Sequence, residues 1–353
     1  MEKPVIGITI GDLNGIGPEV IIKALSDERI LKIMTPVIYA NSKVLSYHRN
    51  IVGDHILNSY NIQNIDKVQT DKVNVLQCWE DNVNITLSKA TPEGGKFAMI
   101  SIDYALHDAI SGKIDAFVTA PIHKHAMSLA GHDEKGHTEY ISRKTGGKSM
   151  MMLCSDILKV GLVTNHVPIS EVSGEVTLEK IIEKIKIFED TLRKDFGKEK
   201  PVIAVLGLNP HAGDEGTIGT EDKEIIIPAI QEAKQQGIFV TGPHPADGFF
   251  GSSQYHKVDG ILAMYHDQGL IPFKAFSFGK GVNYTAGLQV IRTAPDHGTA
   301  YDIAGKNLAD PSSMRTALFL AVDIAKARKH YEEERSNPLQ PSQKTIEEEE
   351  TLE

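Results

Sequence analysis

Cysteine is nearly absent from this 353-residue chain. Cys78 and Cys154 are the whole complement, too few and too far apart in sequence for a disulfide framework or a cysteine-based zinc site. Tryptophan occurs once, as Trp79, and reads as a packing residue. No apolar run approaches the ~20 residues that a membrane span needs. The opening Met1-Glu2-Lys3-Pro4 enters a strand-like run at once and lacks the form of a signal peptide. A reducing cytoplasm is the expected compartment, with no membrane partner. Positive charge is also in deficit: 37 Lys and Arg against 47 Asp and Glu leave a net charge of -10, which argues against a general nucleic-acid surface. Much of the acidity is local, in Glu332-Glu333-Glu334 and Glu347-Glu348-Glu349-Glu350. The body of the chain is closer to balance and can attract an anionic substrate.

What is present is ordinary for a globular protein: 41% hydrophobic and 24% charged residues in 38.7 kDa, enough for two modest domains or one large α/β domain. One short grammar recurs. Gly260 to Met264 is an apolar run that empties into Tyr265-His266-Asp267-Gln268 and then turns at Gly269. Ile203 to Leu208 ends in Asn209-Pro210-His211-Ala212-Gly213, and Leu158 to Val163 ends in Thr164-Asn165-His166-Val167-Pro168. In an open α/β sheet ligands collect at the carboxyl ends of strands. Three imidazoles converging there would make a divalent metal site with an open position. Spacing alone does not establish convergence, no H-E-x-x-H is present, and a histidine taken singly reads as surface or core. That bland reading holds for His48, His55, His107, His256 and His330.

The remaining pieces repeat a strand–loop–helix unit, the signature of an α/β fold. Val5 to Ile10 is a first strand, breaking into Gly11-Asp12-Leu13-Asn14-Gly15-Ile16-Gly17-Pro18-Glu19 and a helix. Pro18 suits a helix start and Glu19 its positive end. This loop is a candidate phosphate or cofactor cradle, although it is not G-x-G-x-x-G. The Gly131 to Tyr140 stretch, with its two Gly-His pairs, is a candidate substrate loop or a polar helix cap. Asp247 falls near the candidate metal if the histidine strands are neighbours. Lys274, Lys280, Asn283 and Arg292 follow the third histidine closely, where a phosphate could bind. A helix is expected from Met314 to about Tyr331, with a disordered acidic tail over 332–353.

Taken together, Gly11-Asp12…Gly15-Ile16-Gly17-Pro18-Glu19, Gly136-His137-Thr138-Glu139, Thr164-Asn165-His166-Val167-Pro168, Leu208-Asn209-Pro210-His211-Ala212-Gly213 and Ala263-Met264-Tyr265-His266-Asp267-Gln268-Gly269 resemble the 4-hydroxythreonine-4-phosphate dehydrogenase family of vitamin B6 biosynthesis. The resemblance runs through residues 4–330. It implies an isocitrate/isopropylmalate dehydrogenase-like α/β fold with two domains flanking a cleft, here 1–120 with 280–331, and 121–279. It also implies metal ligation by His166, His211 and His266, in a site shared across a homodimer. His137, Thr138, Lys274, Asn283 and Arg292 match substrate-contacting positions, and Asp12, Gly15, His297, Gly298 and Asp302 fall on the nucleotide side. The loop His297-Gly298-Thr299-Ala300…Asp302-Ile303 resembles an adenosine-binding loop in which NADP-specific relatives place Lys and Tyr. Asp302 instead favours NAD, because a carboxylate accepts from ribose hydroxyls and repels a 2′-phosphate.

The implied reaction is NAD-dependent oxidation of 4-phosphohydroxy-L-threonine at C3, with NADP as the second choice of cofactor, followed by loss of the carboxylate. Zn²⁺ best matches the ligand set, with Mg²⁺, Mn²⁺ or Co²⁺ as substitutes. Lys274 is a candidate for a polar or proton-handling contact. Asp247 and Asp267 are candidate bases or histidine-orienting groups, with structural turn carboxylates as the alternative. Rival readings are a dehydrogenase for threonate or erythronate 4-phosphate, a zinc hydrolase, and a non-enzymatic binding protein.

Overall fold

A computed structural model of the chain describes residues 3–53, 57–134, 136–277 and 279–337. His55, Lys135 of the Gly-His stretch and the acidic tail from Pro338 onward lie outside the described residues. Twelve strands run in chain order as β1 (Val5–Thr9), β2 (Thr35–Ala40), β3 (Ser59–Ile62), β4 (Val73–Gln77), β5 (Ala116–Thr119) and β6 (Met150–Cys154). These are followed by β7 (Lys159–Leu162), β8 (Ile203–Leu206), β9 (Val240–His244), β10 (Gly260–Ala263), β11 (Val282–Ala286) and β12 (Arg292–Pro295). They form one sheet in the order β3-β4-β2-β1-β5-β12-β11-β6-β7-β10-β8-β9. The block β3 to β12 is parallel, and so is the block β7-β10-β8-β9. Between them β11 runs antiparallel to both β12 and β6, and β6 antiparallel to β7.

The α/β class expected from the recurrent unit is the observed one. Parallel strands need crossovers, and the crossover helices cover the sheet, so runs such as Ile6, Ile8 and Val37 to Ala40 are fully enclosed. Beneath the histidine strands lies a second core of Leu158, Val160, Leu162, Leu206, Ile261, Leu270 and Phe273. Leu270 and Phe273 anchor the helix His266–Ser277 on it.

That helix corrects one expectation. Gly269 does not turn the chain; it lies inside the helix. A Cβ there would come within 2.9 Å of Val160 and 3.0 Å of Ala263 and Leu162, so the glycine lets the helix approach β7 and β10. The last helix, Ser312–Arg335, also outruns its expected end, taking Glu332 to Glu334 out of the anticipated tail. Strands β6, β9, β11 and β12 go beyond the sequence reading. The run Met150-Met151-Met152 has no β-branched residue. Pro243 in β9 and Pro295 closing β12 speak against strands, yet are tolerated at a sheet edge and a strand end.

His48, read as core, is fully enclosed and its Nε2–H donates to the Leu13 carbonyl at 2.9 Å. Its Nδ1 is buried without a partner among the described residues, and burial pushes the imidazole pKa from 6.5 down to about 4. Between those values the unfolded chain binds the extra proton and the folded one does not. His48 therefore lowers stability as pH falls from 6.5 to 4, by about 3 kcal/mol at ~1.4 kcal/mol per unit. Replacing His48 by Gln, whose amide can also donate to Leu13, should flatten the decline of melting temperature over that window. Parallel slopes for the two proteins would refute the assignment.

Candidate active site

The sheet order settles whether the histidine strands are neighbours. β10 lies between β7 and β8, paired with both in parallel, with Ala263 opposite Leu162 and Leu262 opposite Val205. The segments carrying His166, His266 and His211 thus leave adjacent strands on the same side. They are stitched together past the strand ends. Thr164 donates through its backbone N–H and its hydroxyl to the Met264 carbonyl, at 3.1 and 2.8 Å. Gln268 accepts from Met264 N–H at 2.7 Å and donates to the Gly207 carbonyl at 2.6 Å. Asp222 holds the third segment, accepting from the backbone N–H groups of Leu208 and Asn209. A Cβ on Gly207 would meet Asp222 Oδ1 at 2.7 Å, so this approach requires glycine.

Beyond that hold the chain runs left-handed. Five consecutive residues, His211 to Glu215, have φ of 55°, 52°, 80°, 42° and 56°. Four of them carry a Cβ, and each such residue costs on the order of 1 kcal/mol. Strain of this kind persists where surrounding contacts over-determine it and clusters at functional sites.

The rings of His166 and His266 stand 5.8 Å apart between centroids. Each has a carboxylate beside Nδ1: Glu139 at 3.5 Å from His166, and Asp267 at 2.8 Å from His266. A carboxylate on Nδ1 fixes the tautomer that presents Nε2 to a metal. His211 lines an adjoining cavity of about 480 Å³ with Asp247, Tyr265, Asp267 and Gln268. In this conformation no three His, Cys, Asp or Glu side chains among the described residues are gathered as a metal site. The donor chemistry of three imidazoles fits a borderline divalent ion.

Arg292, the first residue of β12, is fully buried, and among the described residues no carboxylate hydrogen-bonds it. Its Nε and Nη2 donate to Thr119 Oγ1 at 2.9 and 2.6 Å, and its Nη1 to Thr138 and Thr285 at 3.2 and 3.0 Å. Nη2 also reaches His137 Nε2. A guanidinium has no acceptor, so His137 accepts and is neutral. Burial, then the charges of Arg292 and Lys124, hold its pKa well below the ordinary range. Burial brings Arg292 itself down to about 9, against the opposing charge of Glu139. His137 and Thr138 open the helix His137–Thr145, whose N-terminal N–H groups add positive potential.

Lys274 Nζ lies 3.5 Å from Asp296. Both line a cavity of about 330 Å³ with Phe273, His297 and Asp310. Burial raises the Asp296 pKa, opposed by Lys274. Asn283 Oδ1 and His297 Nε2 are buried without hydrogen-bond partners among the described residues. In the turn after β1, Asp12 is enclosed and both carboxylate oxygens are engaged, by Asn14 N–H at 2.9 Å and the Tyr301 hydroxyl at 2.5 Å. Gly15 lies against the loop that carries His297 and Gly298, where a Cβ would meet the Thr299 carbonyl at 2.8 Å. Asp302 and Gly298 are exposed.

The sequence family described as pyridoxal phosphate biosynthetic protein PdxA matches residues 32–321. The chain belongs to the PdxA family. A 4-hydroxythreonine-4-phosphate dehydrogenase of Bacteroides thetaiotaomicron is 48% identical over 336 residues, covering 95% of this chain and 92% of its own. A PdxA relative from Oceanobacillus iheyensis, named for D-threonate 4-phosphate, is 38% identical and covers 92% and 98%. The crystal structure of the Klebsiella pneumoniae 4-hydroxythreonine-4-phosphate dehydrogenase superposes with a TM-score of 0.82 at 35% identity, over 92% of this chain and 98% of that one. As a PdxA dehydrogenase the chain is an oxidoreductase acting on a CH–OH group.

Sequence reasoning missed Thr119, Thr285, Glu139 and Asp296. Thr119 and Thr285 are strand residues with no local signature, whereas Glu139 and Asp296 adjoin residues singled out for other reasons. Arg292→Lys retains the charge but cannot reproduce the fork of donors. With charge-assisted bonds worth about 1.5–3 kcal/mol each, kcat/KM for a phosphorylated substrate should fall by about 10²-fold with the circular dichroism unchanged. A loss under threefold would sink the assigned anion role.

Proposed function

We propose that the chain catalyses the NAD- and metal-dependent oxidation of 4-phosphohydroxy-L-threonine at C3. The β-keto acid formed, 2-amino-3-oxo-4-phosphooxybutanoate, then loses carbon dioxide to give 3-amino-2-oxopropyl phosphate, in pyridoxal 5′-phosphate biosynthesis. The observation that carries this reading is Arg292: a buried cation whose hydrogen-bond partners among the described residues are hydroxyls and a neutral imidazole, the imidazole standing on a helix whose Glu139 reaches His166. A hydroxyl that accepts from the guanidinium turns its own proton away. Thr138 and His137 therefore relay the charge outward as donors suited to a phosphate oxyanion.

His166, His211 and His266 would hold the ion. Bound there, a divalent ion such as Zn²⁺ supplies Lewis acidity for the alcohol and then the carbonyl. Asp267 already accepts from His266 Nδ1, which makes it an orienting group more than a base. Asp247 lines the cavity beside His211 and is the better candidate to take the hydroxyl proton. Lys274, held near Asp296, is suited to a charged contact with substrate. Exposed Asp302 supports NAD over NADP.

D-Threonate 4-phosphate is the second reading, favoured by the Oceanobacillus relative's name. The phosphate cage would serve both substrates, which differ in the amino group. NADH formation with 4-phosphohydroxy-L-threonine and with threonate and erythronate 4-phosphates, before and after chelation and zinc restoration, tests the proposal. It expects the amino substrate to lead by tenfold or more, chelation to abolish turnover, and NAD to exceed NADP in kcat/KM. Preference for a sugar-acid phosphate moves the substrate; chelator-resistant turnover removes the metal; equal efficiency with both nucleotides removes the role of Asp302.

We also read the chain as a homodimer that shares the site. Ile169 and Ile271, 74% and 67% exposed, follow His166 and His266 in sequence and leave an apolar rim that a second copy would cover. Sedimentation at micromolar concentration should give twice the chain mass. A monomer would contradict it.

A further inference from the structure

We propose that Glu139 is the positioning residue of His166, indexing the candidate metal ligand to the helix that carries the anion site. This rests on the metal reading above and adds to it a residue with no ligand role of its own. Glu139 stands in the first turn of His137–Thr145, directly after His137 and Thr138, and its Oε1 lies 3.5 Å from His166 Nδ1. It is partly enclosed, and its charge also acts on Arg292.

The local chain makes room for it. Gly136 precedes the helix in an extended conformation, and a Cβ there would stand 3.0 Å from Glu139 Oε2. A side chain at 136 would crowd the carboxylate as it folds back over the helix start. His266 shows the same construction by different means, since Asp267 follows it directly in sequence. His166 has no such neighbour. Asn165 and Val167 flank it, so its orienting carboxylate has to come from another element. The element that supplies it is the one whose two preceding residues hold Arg292. A carboxylate on Nδ1 raises the basicity of Nε2 and freezes the ring, and losing such a partner weakens metal binding by about 10–100-fold.

The test is zinc affinity, measured by calorimetry or chelator competition on metal-stripped protein, for the parent, Glu139→Ala, Glu139→Gln and His166→Ala. Melting temperatures are read in the absence of zinc. Glu139→Ala is expected to bind zinc tenfold or more weakly than the parent, with its zinc-free melting temperature unchanged. Glu139→Gln, which keeps an acceptor for Nδ1–H but no charge, should recover part of the loss. A parent-like zinc affinity in Glu139→Ala overturns the inference while leaving the metal reading intact. Failure of the parent to bind zinc overturns both. If Glu139→Ala proves unstable, Glu139→Gln decides: weakened zinc binding supports the role and parent-like affinity refutes it.

Discussion

The structure depends on one buried charge. Arg292 sits where the two halves of the sheet meet, with β5 on one side and β11 on the other. A guanidinium taken out of water without a carboxylate is costly unless its donors are satisfied. Here the acceptors come from three elements: Thr119 on β5, Thr285 on β11, and His137 with Thr138 on a helix. Satisfying the cation therefore fixes the helix against both halves. Because Glu139 is the next residue on that helix, fixing the helix also sets the distance to His166. A site designed only for stability would neutralise the charge with an acid. One that leaves it with neutral partners keeps its field available for an anionic ligand.

On the other side of the site the constraint is backbone geometry. Thr164, Met264, Gln268 and Gly207 tie three strand ends into one ledge. Rigid hydrogen bonds of this kind make it possible to hold a left-handed turn at His211 against its local cost. The two sides differ in character. The ledge and Arg292 are fixed by buried contacts, whereas His211 faces an open cavity.

Much of this was legible in the sequence, for definite reasons. Short apolar runs ending in a polar tip are how parallel strands are written, so the α/β class and the positions of His166, His211 and His266 could be read directly. Adjacency could not, because pairing of β7, β10 and β8 is set by crossovers whose order leaves no local trace. The reading of Gly269 as a turn failed for a related reason. Glycine marks both turns and close packing, and only the neighbours Val160 and Leu162 decide which. Thr119 and Thr285 escaped notice because a hydroxyl in a strand looks like ordinary β-propensity until a guanidinium is placed against it. The expected tail starts too early at 332, because Glu332 to Glu334 are good helix formers that extend the last helix by one turn to Arg335.

The loop after β12 is anchored at several points to the start of the sheet. Tyr301 donates to Asp12, Gly305 N–H to Glu19, and Lys23 to the carbonyls of Asn307 and Ala309. His123 stacks on Tyr301 with centroids 4.8 Å apart. These contacts clamp the loop to the first turn and helix of the sheet. They also engage Asp12, whose carboxylate serves as a strut. Asp302 faces solvent on the clamped loop. A charge discriminates well only when it cannot move away from what it repels, and the clamp supplies that rigidity. Asp12, Glu19 and Lys23 keep the backbone beneath Asp302 in place, so the charge proposed to repel a 2′-phosphate stands on a fixed loop.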